Sequence, residues 1–339
     1  MKRRSIMLLI LSTMVLVSSC NSVSKRGNAE DPRIPVIIDS DANNELDDQH
    51  ALAYLLLSDS TFNVLGITVN ATYNGGEIEE HQKEANRVVD LVGWKGRVEV
   101  FKGANANFIE IEDHINQAEF DGSAAVNFII GEARKKRAQP LVLIPVGKLT
   151  NIALALKKEP SIAHRVRIVW LGSNYPEPGE YNLENDTASL NFVLKTDVPF
   201  EMATVRYGES SGTADVKVRR RDIYTRMPGS GPVVAEPVTG RHGGSFTCFG
   251  DYSVDLFKHI TDLEDGCYRS LFDMAAVAIV KNPSWAESYE IPCPLYFNDG
   301  WVEQPDNKRM ITIWENFNSD AILNDFFTTI DNGSVTAGE

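Results

Sequence analysis

Ile34-Pro35-Val36-Ile37-Ile38-Asp39-Ser40-Asp41-Ala42-Asn43-Asn44-Glu45-Leu46-Asp47-Asp48 is the stretch on which the reading of the whole chain turns. It opens with a continuous apolar run, the pattern of a strand buried on both faces of a parallel sheet. Residues 39–48 then hold five acidic groups, and from Leu46 to Leu57 the apolar spacing becomes that of a helix. In open α/β sheets, ligands bind outside the carboxyl ends of the strands. Carboxylates packed this densely repel one another, and their pKa values rise unless a cation neutralises them. Oxygen-only donors select a hard ion, Ca²⁺ or Mg²⁺. Capping of the following helix by Asp47 accounts for one aspartate, not for the cluster.

Outward from this stretch, strand and helix alternate. Strands are predicted at 64–69, 98–101, 141–146, 166–171 and 200–205. Helices are predicted at 77–92, 124–136, 152–157, 187–194 and 271–280. The repetition predicts a doubly wound, mostly parallel sheet flanked by helices. Residues 207–250 are rich in Gly and Pro and read as a cap or insertion over one end of the sheet. The last third has little readable pattern. The domain is expected to span 34–335 as a single unit.

Composition narrows the function. The chain has 339 residues, 43% hydrophobic and 24% charged, which excludes disordered, collagenous and disulfide-scaffold proteins. Its 33 Lys and Arg against 47 Asp and Glu give a formal charge of −14, so a basic face for nucleic acid is not expected. Lys2, Arg3 and Arg4 precede an apolar run, Ile6 to Val17, that is short for a membrane span of about 20 residues. Val17-Ser18-Ser19-Cys20 follows and looks like a bacterial lipobox. Residues 1–19 are therefore expected to be a lipoprotein signal peptide, Cys20 the lipidated residue, and 20–33 a flexible tether. The protein would then be exported and lipid-anchored in the bacterial cell envelope, periplasmic or at the outer-membrane surface. Cys248, Cys267 and Cys293 remain, as buried thiols or as one disulfide plus a thiol, and their spacing matches no zinc pattern.

A strand ending in DxD also occurs in haloacid-dehalogenase phosphatases, but that pattern leaves Asp47-Asp48 unexplained. The chain instead resembles the inosine-uridine-preferring nucleoside hydrolase family. That family opens with DxDxxxDD after a strand; here two extra residues separate Asp41 from Asp47. Gly147-Lys148-Leu149-Thr150-Asn151-Ile152-Ala153 is similar to its GPLTNIA segment, with Lys148 in place of proline. Asn174, Glu180 and Asn182 reproduce an N-x5-E-x-N spacing. Phe272-Asp273 falls where the family has His-Asp before an Ala-rich helix. The matched order spans about residues 34–282.

The resemblance implies hydrolysis of the N-glycosidic bond of ribonucleosides or a related riboside. By it, Asp41 ligates Ca²⁺ and takes the proton of the attacking water, and Asp48, Asp273 and the Thr150 carbonyl complete the protein ligands. Asp47 holds a ribose hydroxyl and Asp39 supports the cluster. Glu180 and Asn182 face the 5′-hydroxyl, Asn174 the ribosyl ring. Asn74, with Gly75-Gly76 next, is either a sugar contact or a turn residue. Phe272 departs from the family: it carries no proton for the leaving base, and either stacks on it or belongs to the core. His242 and Tyr252 are the other base-side candidates. His50, His81 and His259 are read as satisfied or surface groups. Glu45 is left as ligand, sugar contact or surface charge. The competing function is a non-catalytic sugar- or nucleoside-binding lipoprotein on the same scaffold. Partners are a small-molecule riboside and the membrane through Cys20, with homo-oligomerisation left open.

Overall fold

A computed structural model describes residues 31–44 and 46–336. The expected signal peptide 1–19, Cys20, most of the tether 20–33 and Glu45 lie outside the described residues. The opening apolar run forms strand β1 (Ile34–Ser40). Val36 and Ile38 point into one hydrophobic core and Ile37 into the other, so both faces of β1 are covered. That is why the sequence is apolar without alternation.

Four of the other predicted strands lie within a residue or two of their expected positions: β2 (Phe62–Val69), β4 (Leu141–Pro145), β5 (Val166–Leu171) and β6 (Phe200–Ala203). The short β3 is shifted along the chain to Val100–Lys102. The sheet has eight strands, in the order Glu287–Pro292, Met310–Glu315, β6, β5, β4, β1, β2, β3. Only the outermost strand, Glu287–Pro292, runs antiparallel to its neighbour. The chain order reverses between β1 and β4, and there the carboxyl ends of the strands open a crevice. Helices cover both faces; Leu46–Leu57 follows β1, and Phe272–Lys281 packs beside it. From Pro32 onward the chain forms one compact unit.

The region 207–250 contributes no strand to the eight-stranded sheet and pairs in two small sheets apart from it. Lys217–Arg219 pairs antiparallel with Tyr268–Ser270, and Val238–Thr239 pairs with Ser245–Phe246. The last third supplies two strands of the eight-stranded sheet, Glu287–Pro292 and Met310–Glu315, and the helix Ser319–Thr336. The edge strand Glu287–Pro292 is exposed along most of its length, so no apolar run announces it. Cys248, Cys267 and Cys293 are all free thiols, and no disulfide forms among the described residues.

Behind β1 a buried polar knot locks the strands in register. The Asp39 carboxylate accepts from Thr68 Oγ1 at 2.5 Å, Asn151 Nδ2 at 2.7 Å and Asn70 Nδ2 at 3.0 Å. Asn151 also donates to the Val69 carbonyl at 3.0 Å and accepts from the Ala104 N–H at 2.8 Å. Gly103 makes room for it: a Cβ there would lie 2.0 Å from the Val69 oxygen and 2.2 Å from Asn151 Nδ2. Gly103→Ala is therefore expected to destabilise the fold by about 1–3 kcal/mol or more. Chemical denaturation checks this; an unchanged midpoint would show that the knot yields.

Candidate active site

The crevice is a cavity of about 220 Å³. Asp41, Asn44, Asp47 and Asp48 come to it from the turn after β1, Asn74 from beyond β2, and Val146 from the end of β4. Leu171, Glu180, Tyr181 and Asn182 follow β5, and Val205 and Tyr207 follow β6. Asp262, Arg269, Phe272 and Asp273 complete the wall.

Asp47, Asp48 and Asp273 are brought together: one carboxylate oxygen from each lies within 4.8 Å of the other two, and all three residues are buried. Asp48 accepts from Ser40 Oγ at 2.6 Å. Asp41 stands beside this trio rather than in it, and accepts from Thr72 Oγ1 at 2.6 Å. Asp47 therefore stands closer to Asp48 and Asp273 than the resemblance implied, with Asp41 on the same wall. Burial drives Asp41 up to about 7 and Asp47 in the same direction, with Arg269 opposing. Asp273 rises for the same reason, reinforced by the charges of Asp47, Asp48, Asp41 and Glu180. Buried like charges with oxygen donors only are what a hard divalent cation requires, so the residues fit such an ion. Gly147 is packed close behind: a Cβ there would sit 2.9 Å from Asp41 Oδ1 and 2.8 Å from Asn70 Oδ1.

The second polar wall is built from the loop after β5. Glu180 is held at φ 147°, a conformation rare outside glycine, by three N–H bonds to its own carboxylate. The donors are Ser173 at 2.8 Å, Asn182 at 2.9 Å and Leu183 at 3.0 Å. A carboxylate offers about four acceptor sites, which leaves one toward the cavity. Burial lifts this carboxyl to about 7. Asn182 donates to the Val146 carbonyl at 2.9 Å and the Leu171 carbonyl at 3.1 Å, so its oxygen is what it can offer a ligand.

Several expected residues stand elsewhere. Asn174 is off the cavity wall: its oxygen accepts from the Tyr207 N–H at 2.9 Å and its amide donates to the Pro178 carbonyl at 3.4 Å, which ties the loop together. Thr150 begins a helix, donates to Asp186 Oδ2 at 2.5 Å and does not line the cavity. The residue of that segment that reaches it is Val146, whose N–H bonds the Asp39 carbonyl at 2.8 Å. Tyr252 is buried away from the cavity and donates to Glu84 Oε1 at 2.5 Å. His242 stacks on His259 at 4.3 Å in an adjoining depression. Asp39 lies behind the wall, in the knot. His50 is satisfied on both ring nitrogens, by Leu46 and Ser253, and His81 accepts from the Asn43 N–H at 3.2 Å. Lys148 turns from the cavity to hold Ala106 O and Asn107 Oδ1, each at 2.9 Å.

Phe272 does line the cavity, with the Tyr207 ring edge-on at 6.1 Å and the Arg269 guanidinium 5.9 Å from its own ring. Arg269, Tyr207, Tyr181 and Asp262 were not read from the sequence. Tyr207 could have been found from its place just past β6; no local motif marks Arg269.

Fold and site define an open-sheet α/β protein with a carboxylate-rich small-molecule cavity at its switch point. The model of the inosine-uridine preferring nucleoside hydrolase family matches residues 36–322, and the chain belongs to that family. It is 26% identical over 287 residues to the inosine-uridine preferring nucleoside hydrolase of Leishmania major, covering 78% of this chain and 83% of that protein. It is 27% identical over 208 residues to a pyrimidine-specific ribonucleoside hydrolase of Shewanella sp. MR-7, covering 55% of this chain and 63% of the relative. The purine-preferring ribonucleoside hydrolase of Gardnerella vaginalis superposes with a TM-score of 0.64 at 22% identity, over 88% of this chain and 98% of that one. A Bacillus anthracis inosine-uridine preferring nucleoside hydrolase superposes at 0.62 with 18% identity, over 88% and 99%.

If the trio holds a divalent ion, Ca²⁺ added to chelator-treated protein raises the melting temperature, by about 2.7 kcal/mol of stability at a hundredfold excess over Kd. Asp273→Asn is expected to lose that response while melting no lower than wild type without metal, because it removes a buried like charge. A Ca²⁺ response retained in Asp273→Asn would contradict the assignment.

Proposed function

We propose that the protein hydrolyses the N-glycosidic bond of ribonucleosides, with Ca²⁺ held by Asp47, Asp48 and Asp273. The observation that carries this reading is the buried carboxylate trio with Asp41 beside it on the same cavity wall. Such an ion, when bound, supplies Lewis acidity that lowers the pKa of a water and orients it. Asp41, fixed by Thr72, is placed to take the proton of the attacking water. Glu180 and Asn182 present acceptors to sugar hydroxyls, and such contacts strengthen as the ring flattens toward an oxocarbenium ion. Asn74, at the exposed rim, is placed for a further hydroxyl. The leaving base would depart past Phe272 and Tyr207. Neither the Phe272 ring nor any histidine on the wall offers it a proton, and Arg269 is the one cationic side chain among the described lining residues. Departure by stacking, or with a leaving group that needs little acid help, follows from that wall. The lack of a leaving-group histidine also favours the second reading, a binding protein on the same scaffold.

One assay separates the two. Protein from residue 21 onward, with Ca²⁺, is incubated with a nucleoside panel and with p-nitrophenyl riboside. Free ribose is expected, with kcat reduced about 10²–10⁴-fold in Asp41→Asn. Turnover confined to the p-nitrophenyl substrate would trace the restriction to Phe272. Tight binding without product on every substrate would sink the hydrolase.

The lipobox supports placing this activity in the cell envelope, anchored through Cys20. Cys20→Ser is expected to move the protein from the membrane fraction to the soluble one; unchanged fractionation would refute the anchor.

A further inference from the structure

Two of the strand ends opposite the cavity, those of β4 and β5, carry the reverse charge. Residues 132–140 and 159–165, which lead into β4 and β5, hold five Lys and Arg against two Glu, in a chain whose overall charge is −14. They line a depression of about 420 Å³, with Lys135, Lys136, Arg137, Gln139, His164 and Arg165 on its walls. Lys135, Lys136, His164 and Arg165 are exposed. Glu132 is shared by Lys135 and Arg137, each at 2.5 Å, and Arg134 pairs with Glu159. Both acids of these two segments are therefore engaged, and the positive charge stands in excess. Lys136 enters no ion pair among the described residues.

The chain enters the fold at this same rim. Gln139 Nε2, in the wall of the depression, donates to the Arg33 carbonyl at 2.9 Å. Arg33, at the start of the described chain and just before β1, therefore lies at the basic rim, on the side of the sheet away from the cavity. In a parallel sheet all amino ends lie on one side and all carboxyl ends on the other, here some 20 Å apart by strand length. The cavity side holds Asp41, Asp47, Asp48, Glu180 and Asp273. The rim ahead of β4 and β5, beside Arg33, is thus basic, while the cavity at the other end of these strands is acidic.

We propose that the basic rim at Lys135, Lys136, Arg137 and Arg165 is a docking surface for an anionic phospholipid membrane, which turns the cavity mouth away from the bilayer. Complementarity of charge and the point of chain entry both select a lipid surface over a soluble ligand. Juxtamembrane Lys and Arg gain attraction from anionic headgroups, and that attraction dies within a Debye length of about 8 Å at physiological salt. A tether alone would leave the domain free to tumble; the rim would fix which end faces the lipid.

The test uses the chain from residue 21, which contains the whole compact unit and no lipid, in sedimentation with vesicles. Binding at 50 mM salt is expected to be about tenfold stronger to vesicles of phosphatidylcholine with 30% phosphatidylglycerol than to phosphatidylcholine alone, and to vanish at 0.5 M salt. Lys136→Glu with Arg165→Glu should abolish the difference while leaving the melting temperature and riboside turnover unchanged. Lys83→Glu with Lys102→Glu, which changes total charge equally but toward the carboxyl ends of β2 and β3, should retain it. Equal binding to both vesicles, equal loss in the two double variants, or binding to a DNA oligonucleotide as tight as to the anionic vesicles would overturn the proposal. Because turnover is read separately, a failed hydrolase assay and a failed docking assay are distinguishable.

Discussion

Mutual repulsion among buried carboxylates is the constraint around which the molecule is arranged. Asp47, Asp48 and Asp273 would separate in water, and the fold forbids it. Two of them open the helix after β1 and the third sits at the start of the helix Phe272–Lys281, which packs against it. The two helices are held by apolar packing, and the cost of the unfavourable charge is concentrated where they begin. A site built this way has an energy deficit that a hard cation would relieve.

The surrounding polar residues divide into those that face the cavity and those that brace it. Asp39, Asn70 and Asn151 join β1, β2 and the helix Thr150–Lys158 behind the wall. Asn174 and Thr150 close loops by bonding Tyr207 and Asp186. Glu180 does both: three of its acceptor sites shape its own loop, and the strained backbone turns the remaining one inward. Lys148 shows how a departure from a family motif can be structural. Where the related segment has proline, a buried ammonium spans to the 105–107 loop and leaves the cavity untouched.

Legibility followed physical origin. Central strands such as β1, β4 and β5 are buried on both faces, so each is an unbroken apolar run that can be recognised alone. The edge strand Glu287–Pro292 has little to bury and left no pattern. Of the expected site, Asp41, Asp47, Asp48, Asp273, Glu180, Asn182, Asn74 and Phe272 all meet in one cavity. Asn174, Thr150, His242 and Tyr252 are not among the lining residues, and a polar side chain that completes a loop looks the same in sequence as one that meets a ligand.

By itself the sequence determined the parallel α/β architecture, the carboxylate-rich crevice after the first strand and the family to which these belong. Burial on two faces and like charges crowded into one turn both write local patterns. Only the tertiary structure decided that Asp47 stands with Asp48 and Asp273 and Asp41 on the same wall, that Val146 rather than Thr150 reaches the cavity, and that Arg269 and Tyr207 stand beside Phe272. Those outcomes depend on how the turn after β1, two residues longer than the family pattern, directs each carboxylate, and on segments far apart in the chain meeting at one end of the sheet. No local spacing encodes either.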